Sequence, residues 1–596
     1  MSQTSLPENQ PTLDFASPDW GVQKHGFELS TWKGEKWSGQ PVFIDVETTE
    51  GDERKVVGAC VYDPMLDAQR IFWLPGEATQ ELSALLPTTG VIGHNVKFDI
   101  KAICGESFPW GIPRVVDDTM ILAYSLSPVL PSFGLKDLAK TFCGLAWPSY
   151  RDIVGKGKKK VTLDKQPEDL VKNYCAMDVF ASFKLREALL GKISKEHKQI
   201  YDAVELPTYN ALIHLESRGI TVDIPFLEKL RDDWTREAKK LQAKMALKFG
   251  EEFNPASPKQ VIEQFNRSFG FGLESSAKSA LIPWEGHEMV DTLLRFRAVS
   301  KLKATYAEAL LERAPIIRCT FNQVVNDEHG SATSDGIDTT RLSSSNPNLQ
   351  NIPARTKEGK LIRQAFVPRA GMKLLVADYS QIEYRLLAHF SEDAVLLKAY
   401  ADGVDIHKQT ASIIFNVPLE EVTDQQRDLA KTINFASIYG AGAKKIAGLT
   451  RKSPEECQKF LNVYFDKLPG VRRFVQMTKV KAHLDKFTRT MFGRKIDLPD
   501  ISSSDKFAMY SAERKAVNYK IQGSAAEIMK IALVRLVDEN FQVLLTVHDE
   551  FLIEVKPDEA EEMKKTVEKV MCSGFDLKVP LEAKVGLGES WAEAKV

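Results

Sequence analysis

The sequence predicts a multidomain protein of the α/β and α+β classes. Its 596 residues are too many for one hydrophobic core. Short β-like runs mixed with helical patterns, such as Val42 to Ile44 and Val56 to Tyr62, occupy the first part, to about residue 200. Long amphipathic helical patterns begin near Leu206 and include Lys229 to Phe249, which is rich in Lys, Glu, Ala and Leu. No Pro- or Ser-rich linker divides the two parts, so we expect them to be in contact.

The composition is that of an ordinary globular protein, with 43% hydrophobic and 27% charged residues. No apolar run could span a membrane, and the first residues lack the apolar core of a secretory signal, so we expect a flexible tail over 1–30. Seven cysteines without a Cys-x-x-Cys pair predict neither a zinc site nor a disulfide framework, which fits a reducing compartment. The net charge of −2 does not indicate a polyanionic partner, but it is compatible with a locally basic groove. The Lys-rich run 155–160 fits either a solvated loop or a contact with phosphates.

Four acidic residues and a tyrosine in the first part have the spacing of a metal site. Asp45 and Glu47 follow the first strand-like run, and alternate strand residues share a face, so both carboxylates point the same way. Like charges on one face repel unless a cation lies between them. Asp99 comes next, and Tyr174 and Asp178 are one helical turn apart, so they too share a face. The set is sufficient to bind two metal ions and to orient a water molecule.

A second pair of carboxylates, Asp378 and Asp549, is predicted on two separate β-turns. Asp378 ends the apolar run 374–377, and Asp549 lies between the strand-like runs 543–547 and 551–555. Two such acids, brought together, form a site for two divalent ions about 3.5–4 Å apart. Ions at that spacing bind both the attacking and the leaving oxygen of a phosphoryl transfer.

Between these two acids the sequence places Arg427, Lys431, Phe435 and Tyr439 at steps of four residues. Each step rotates about 400° around a helix, so the four side chains form one stripe of two cations and then two aromatic rings. Cations suit a triphosphate, and aromatic faces suit a nucleic-acid base. The alternative is a coincidental amphipathic helix whose aromatic residues lie in the core.

The first set of residues resembles the DEDD family of 3′–5′ proofreading exonucleases, which have an RNase H-like fold. The resemblance covers roughly residues 38–190. It implies that Asp45, Glu47, Asp99 and Asp178 hold the metal ions and that Tyr174 positions the attacking water.

The turn acids and the stripe together resemble the family A DNA polymerases, from about residue 40 to the end of the sequence. Further matches are Arg341 to Pro353, similar to the primer–template segment, and Asp405 to His407, similar to the phosphate-contacting histidine motif. Gly493-Arg494 and the run Arg514 to Gly523 resemble the minor-groove contacts of the family. The resemblance implies an RNase H-like exonuclease domain followed by a right-hand polymerase domain.

The family resemblance also implies the role of each matched residue. Asp378, Asp549 and the backbone carbonyl of Tyr379 would bind two Mg²⁺ ions, for which Mn²⁺ can substitute, with Glu550 as a supporting acid. Lys431 would contact the phosphates and donate a proton to pyrophosphate, and Glu383 would exclude a ribose 2′-hydroxyl. The remaining nucleotide-binding residues would be Gln381, His407, Arg427, Phe435 and Tyr439. The DNA-binding residues would be Arg341, Gln350, Asn351, Arg494, Arg514, Asn518, Gln522 and His548.

The same resemblance predicts the division into domains. We expect the exonuclease domain over 31–200 and the polymerase domain over 201–596. Within the latter we expect a helical thumb at about 205–325, a palm at about 326–400 and 535–596, and helical fingers at about 401–534. No 5′-nuclease domain is expected, because the first acids begin at Asp45.

The expected partners are primer–template DNA and deoxynucleoside triphosphates, bound by a monomer without membrane association. A thioredoxin-type processivity factor is not expected, because no long insertion lies between Ile224 and Leu302. The compact layout resembles phage replication polymerases, and the expected location is the cytoplasm: the nucleoid, or the host cytoplasm if the protein is phage-encoded. Thr546 and Ala436-Ser437 depart from the usual family pattern without removing a metal ligand.

Three alternative functions are weighed against this one. A single-subunit RNA polymerase shares the palm acids, but Glu383 and the complete first set of acids disfavour it. An inactive DNA-binding relative would lack some of these acids, and none is missing. A bare exonuclease with an idle second part is disfavoured by Arg427 and Lys431.

Overall fold

The computed structural model describes residues 20–51, 54–105, 108–157, 160–324, 340–354, 356–438, 442–450 and 452–595. Residues 158 and 159 of the Lys-rich run therefore lie outside the described part. Within it, no helix is both long and apolar enough to cross a bilayer.

The first part is built on a six-stranded sheet with the order β1-β4-β3-β2-β5-β6. β3 is antiparallel to its two neighbours and the other pairs are parallel. The strands are β1 (Glu28–Thr31), β2 (Val42–Thr48), β3 (Val56–Tyr62), β4 (Arg70–Pro75), β5 (Val91–Gly93) and β6 (Val115–Asp118). The strands predicted at 42–44 and 56–62 are confirmed.

Helices cover both faces of this sheet because its strands are apolar on both sides. Phe43 and Tyr62 pack in the layer of helix α6, whereas Ile44 and Val61 pack in the layer of α1 to α3. The helices are α1 (Thr79–Thr89), α2 (Lys97–Cys104), α3 (Thr119–Leu126), α4 (Leu135–Cys143), α5 (Tyr150–Val154), α6 (Glu168–Leu190) and α7 (Lys195–Ile200).

The predicted flexible tail over 1–30 is wrong for its last residues. Residues 1–19 lie outside the described part, but Glu28 to Thr31 form β1, which pairs with β4. Phe27 makes edge contacts with Tyr62 and Phe180, so burial of its ring helps to hold this segment on the sheet.

The second part begins with a helical region and small strands. The predicted helix over 229–249 is confirmed as part of α9, which packs against α12. The elements are α8 (Leu206–Arg218), β7 (Ile220–Val222), α9 (Ile224–Phe249), α10 (Pro258–Phe269), α11 (Lys278–Leu281), α12 (Glu288–Leu302), α13 (Ala309–Leu311), β8 (Ile316–Ile317), β9 (Thr320–Asn322), β10 (Ser343–Ser345), α14 (Lys357–Gln364) and β11 (Phe366–Val367).

A four-stranded antiparallel sheet forms the centre of the second part. It joins distant segments in the order β15-β16-β12-β17, with the bounds β12 (Lys373–Tyr379), β15 (Gln542–Val547), β16 (Glu550–Val555) and β17 (Ala583–Gly588). Asp378 lies inside β12 rather than on a turn, which corrects the prediction, whereas Asp549 lies in the turn between β15 and β16 as predicted. Three helices accompany this sheet: α23 (Ser524–Asp538), α24 (Ala560–Cys572) and α25 (Trp591–Ala594).

A mainly helical region lies between β12 and β15 in the chain. It comprises α15 (Ile382–Ser391), α16 (Ala394–Ala401), α17 (Ile406–Phe415), α18 (Asp424–Ile438), α19 (Ala443–Thr450), α20 (Pro454–Lys467), α21 (Pro469–Asp485), β13 (Phe487–Arg489), β14 (Lys495–Asp497) and α22 (Lys506–Asn518). The predicted helical fingers at 401–534 thus also contain the β13–β14 hairpin.

The two parts of the chain meet through a buried ion-pair network, which confirms the expected contact. Glu205 accepts hydrogen bonds from Lys530 Nζ at 2.8 and 3.0 Å and from Gln323 Nε2 at 2.6 Å. Arg494 pairs with the same carboxylate and donates from Nε to Glu527 at 2.7 Å. Both cations lie within about 6 Å of the ring of Tyr124 in α3.

Glu205→Ala is expected to destabilise the protein by about 3–5 kcal/mol, because it leaves Lys530 buried without its carboxylate. Burial would raise the pKa of Glu205, but the neighbouring cations Lys530 and Arg494 lower it to about 2. The ionised Glu205 carboxylate therefore stabilises the fold above the ordinary carboxyl pKa, and this stabilisation is lost as the pH falls toward 2. The urea midpoint at neutral pH measures the change. Glu228→Ala, at an exposed position, is the control, and equal midpoints for the two variants would contradict the prediction.

Candidate active sites

The first site lies where β2, α2 and α6 meet. Asp45 and Glu47 are on β2, and their carboxylate oxygens lie within 4.8 Å of each other and of the Cys175 sulfur in α6. Asp99 in α2 accepts a hydrogen bond from the Val46 backbone N–H at 2.9 Å, which holds its carboxylate against β2.

Asp178 and Tyr174, one turn apart on α6, complete the first site. Cys175 lies between them on α6 and within 4.8 Å of the Asp45 and Glu47 carboxylates, which places this part of α6 against β2. The charge of Asp178 raises the pKa of Asp45, of Glu47 and of Tyr174. Burial raises the pKa of Tyr174 far above neutrality, and the nearby acids raise it further. Its phenol is therefore neutral and able to orient a water molecule.

The electrostatics of the first site fit a bound cation. Burial raises the pKa of Asp45, Glu47 and Asp99 well above the usual carboxyl values, and the neighbouring acids raise these pKa values further. Buried acids that repel one another are stabilised in their charged form by a divalent ion bound between them.

Asp45→Asn is expected to raise the melting temperature of the exonuclease domain in EDTA by about 2–4 °C. Folding raises the pKa of Asp45. The Asp45 carboxyl group therefore does not destabilise the folded protein below its ordinary pKa, and it destabilises it increasingly as the pH rises from that value to the raised pKa. The gain should therefore be larger at pH 8 than at pH 5, and thermal denaturation at both pH values measures it. Asp164→Asn, on the surface, is the control; a melting temperature lowered at pH 8 by Asp45→Asn would contradict the prediction.

Three residues of the first site were missed by the sequence analysis. Lys136 Nζ lies 3.1 Å from Asp178 Oδ1, which also accepts a hydrogen bond from Trp147 Nε1 at 2.6 Å. The Cys175 thiol donates to the backbone carbonyl of Asp45 at 3.3 Å. Cys175 could have been found from its three-residue spacing to Asp178 on one helix. Lys136 and Trp147 come from distant segments and carry no such signal.

The second site lies on the four-stranded sheet. Asp378 on β12 is directly opposite Glu550 on β16, and the Tyr379 backbone N–H donates to the Asp549 carbonyl at 3.1 Å. The Asp378 and Asp549 side chains keep 32% and 33% of their surface exposed, so a ligand can reach both. Burial raises the pKa of Asp378, and the charges of Glu550 and Asp549 raise it further against the opposing effect of Lys595.

Glu550 is held by the protein rather than directed at solvent. Its Oε1 atom accepts from Arg363 at 3.0 Å and from Trp591 Nε1 at 3.2 Å. Its Oε2 atom contacts the ammonium group of Lys595, which also lies 2.7 Å from Asp378 Oδ2. This contact fits the predicted supporting role of Glu550, but the sequence analysis did not predict Lys595.

The side chains predicted to bind a triphosphate lie on α17 and α18. Asp405 Oδ2 accepts from Arg427 Nε at 3.0 Å and from Nη2 at 2.8 Å, which orients the guanidinium group. Burial lowers the pKa of His407 to about 4, and the charges of Lys431 and Arg427 contribute to the lowering, so the ring is neutral near pH 7. Its Nδ1 atom lies 2.9 Å from Asn434 Nδ2, and the other nitrogen can donate a hydrogen bond but not a positive charge.

The other predicted residues of the second site are spread around the two acids. Arg341 pairs with the buried carboxylate of Glu383 and lies 3.8 Å from Asp549 Oδ1. Gln381 directly precedes α15, and its Oε1 accepts from the Tyr400 hydroxyl at 3.2 Å. The Tyr379 hydroxyl is buried and donates to the Met571 carbonyl at 2.5 Å, so its side chain has a structural role.

A pocket beside Asp549 brings together three of the residues predicted to bind DNA. Its lining includes Arg341, Gln350, His548 and Asp549. Gln350 Nε2 donates to the Thr546 carbonyl at 3.1 Å, so Thr546 contributes its backbone here. Asn351, next to Gln350 in the chain, is exposed. Its backbone N–H donates to Asn348 Oδ1 at 3.2 Å.

The prediction that Arg494 contacts DNA disagrees with the structure. Its side chain is 1% exposed and is paired with Glu205 and Glu527, so it cannot reach a ligand on the surface. Gln522 is also buried, whereas Arg514 and Asn518 are partly exposed on α22. The predicted contacts of Gln522, Arg514 and Asn518 with DNA remain predictions.

The predicted stripe on α18 is described for its two cations. Arg427, Lys431 and the backbone of Phe435 belong to α18, and the Phe435 side chain and the whole of Tyr439 lie outside the described residues.

A helix-covered α/β domain with a buried acid cluster, followed by an antiparallel sheet that presents two acids, is the arrangement of a nucleic-acid polymerase with an attached nuclease. Residues 224–593 match the profile of DNA polymerase family A, and residues 30–194 match that of the 3′-5′ exonuclease domain. The chain belongs to DNA polymerase family A and carries a 3′-5′ exonuclease domain, which confirms the resemblance predicted from the sequence. Dependence on metal ions is general in these families.

Similar proteins agree with this assignment. DNA polymerase I of Pseudomonas aeruginosa is 33% identical over 615 residues, which cover 97% of this chain and 66% of that protein. The thermostable DNA polymerase I of Thermus filiformis is 37% identical over 454 residues, covering 72% of this chain and 53% of that protein. The solved POL domain of Pol1 from M. smegmatis, in complex with a DNA primer-template and dNTP, has a TM-score of 0.79 and 29% identity, with 95% and 100% of the two chains covered. The chain thus spans about half to two thirds of the length of these curated relatives.

Proposed function

We propose that this protein adds deoxynucleotides to the 3′-hydroxyl of a primer on a DNA template and removes nucleotides from the 3′ end at a separate site. The observation that carries the proposal is that Asp378 on β12 and Asp549 in the turn before β16 lie at the same end of two paired strands, both partly exposed. Primer–template DNA and dNTPs are the proposed partners of a monomer acting in the cytoplasm.

Asp378, Asp549 and the Tyr379 carbonyl are the proposed ligands of Mg²⁺ in the polymerase site, for which Mn²⁺ can substitute. When bound, the two ions activate the primer hydroxyl and stabilise the departing pyrophosphate. The chemistry of the donors fits, because Mg²⁺ prefers carboxylate and carbonyl oxygens. Glu550 stays paired with Arg363 and hydrogen-bonded to Trp591.

The triphosphate is proposed to bind along α17 and α18. Arg427, oriented by Asp405, supplies a fixed positive charge, and Lys431 lies one turn further along α18. The predicted hydrogen bond from neutral His407 to a phosphate oxygen requires α17 to shift, because His407 is only 2% exposed. Lys431 is the proposed proton donor to pyrophosphate, as its match to the family A motif implies.

Glu383 is proposed to exclude ribonucleotides. Its buried carboxylate is held by Arg341, so it cannot move away from a 2′-hydroxyl without breaking an ion pair. Glu383→Ala is expected to raise the relative use of ribonucleotides at least about tenfold, the scale of one lost steric or polar contact. Competition between UTP and dTTP in primer extension measures the ratio. Glu392→Ala, at the exposed end of α15, is the control, and an unchanged ratio in Glu383→Ala would contradict the proposal.

In the exonuclease site, Asp45, Glu47, Asp99 and Asp178 are the proposed metal ligands. The bound ions would stabilise charge on the scissile phosphate. Tyr174, neutral at any physiological pH, orients the attacking water through its hydroxyl. The exonuclease domain is proposed at about 20–200, because β1 and Val22 pack on its sheet. The polymerase domain is proposed at 201–596, with the subdomain bounds predicted above.

Primer extension with a 5′-labelled primer on a DNA template tests both activities in one gel. With Mg²⁺ and dNTPs the primer should lengthen to the template end, and without dNTPs it should shorten from its 3′ end. Shortening without extension would leave a bare exonuclease and refute the polymerase proposal. Equal extension with UTP and dTTP would instead identify an RNA polymerase.

A further inference from the structure

Lys595 makes a contact that the proposed reaction does not explain. Its ammonium group lies between two acids of the polymerase site, 2.7 Å from Asp378 Oδ2 and in contact with Glu550 Oε2. Asp378 is a proposed metal ligand, so a protein cation occupies one of the positions from which a divalent ion could bind.

The position of Lys595 is set by the packing of the helix before it. Trp591 of α25 is completely buried, contacts Phe366 edge to face and lies under the guanidinium of Arg363 at 4.0 Å. Ser590 caps the same helix by accepting from the Glu593 N–H. Lys595 therefore leaves a rigid base and reaches the acids with its own side chain.

The two acids depend on Lys595 to different degrees. Glu550 keeps Arg363 and Trp591 as partners of its Oε1 atom when Lys595 is removed. For Asp378, Lys595 supplies an ion pair at 2.7 Å to Oδ2, on the side chain that is the proposed metal ligand. Removal of the ammonium group should therefore take a competing cation away from Asp378 and leave the surrounding fold in place.

We propose that Lys595 is a positioning residue that acts as an internal counter-ion, holding Asp378 against Glu550 and competing with the divalent cation for Asp378. The inference rests on the proposed function of Asp378 as a metal ligand. A positive charge within 3 Å of a ligand oxygen weakens the binding of a second cation at that oxygen. Lys595 thus lowers the affinity of the site for a divalent cation that binds alone. It favours a divalent cation that binds together with a triphosphate, whose negative charge offsets the positive charge of Lys595.

The test is direct Mn²⁺ binding, measured by water-proton relaxation on the full chain. All proteins carry Asp45→Ala and Glu47→Ala, so that the exonuclease site does not contribute. Lys595→Met is expected to lower the Mn²⁺ dissociation constant about tenfold in the absence of DNA and nucleotide. Lys595→Arg, which retains the charge, should stay within about twofold of the parent, as should Lys556→Met at an exposed position.

Three results separate the possible outcomes. Tighter binding in Lys595→Met alone supports the proposal, and unchanged or weaker binding overturns it. If Lys595→Met does not fold, as judged by its melting curve, Lys595→Gln replaces it with the same expectation. Asp378→Asn on the same background should lose the bound Mn²⁺; if it does not, the proposed metal site itself is wrong, whatever Lys595 does.

Discussion

Asp549→Asn is expected to reduce primer extension by about 1,000-fold or more, the scale on which an enzyme loses rate when a group that stabilises the reacting charge is removed. Asp549 lies in the turn between β15 and β16 and is one third exposed, so the substitution removes charge without opening the core. Single-turnover extension of a labelled primer with one dNTP measures the loss. The amide is close in size to the carboxylate, so the fold should be retained.

The exonuclease activity of the Asp549→Asn variant is the internal control for this prediction. Its 3′-end degradation without dNTPs should stay within about twofold of the parent, because the exonuclease acids belong to another sheet. Asp538→Asn, at the end of α23 and outside the site, should leave both activities unchanged. Normal extension by Asp549→Asn would show that Asp549 does not take part in the reaction.

Asp45→Ala combined with Glu47→Ala is expected to abolish 3′-end degradation, with a loss of about 1,000-fold or more, and to leave extension within about twofold. Both side chains lie on one face of β2, and their removal leaves Asp99 and Asp178 without the other half of the metal site. Loss of a labelled 3′-terminal nucleotide from single-stranded DNA measures the rate.

The stability of this double variant separates a chemical from a structural effect. Because burial raises the pKa of both acids, their removal should not lower the melting temperature in EDTA. Asp164→Ala with Glu187→Ala, away from the acids, is the matched control. Degradation that persists in purified double variant at the parental rate would refute the exonuclease site.

The sequence allowed much of the fold to be predicted where a local pattern decides the structure. The apolar runs at 42–44 and 56–62 became strands, and the helix over 229–249 formed within α9. Residue spacing also predicted that Asp45 and Glu47 share one face of a strand and that Tyr174 and Asp178 share one face of a helix, since strand alternation and helical pitch are local properties. The last residues of the tail predicted over 1–30 were mispredicted because β1 depends on pairing with β4, about 40 residues further along the chain.

Within the candidate sites too, residues in local motifs were predicted, whereas residues that reach the site from distant segments were not. Motif residues such as Asp378, Asp549 and Arg427 were identified by neighbours in sequence. Lys136 at Asp178 and Lys595 at Asp378 were not, because each contact joins segments 42 and 217 residues apart. A lysine has no local pattern that distinguishes a surface position from a place beside a buried acid.

By itself, the sequence determined which acids this protein carries, their pairing by strand and helix periodicity, and hence its membership of DNA polymerase family A with a 3′-5′ exonuclease domain. Only the tertiary structure decided which cations face those acids and that Arg494 is an internal partner of Glu205 and Glu527. The reason is physical: periodicity sets which side chains share one face of an element, whereas burial and ion pairing depend on which distant elements pack against that face.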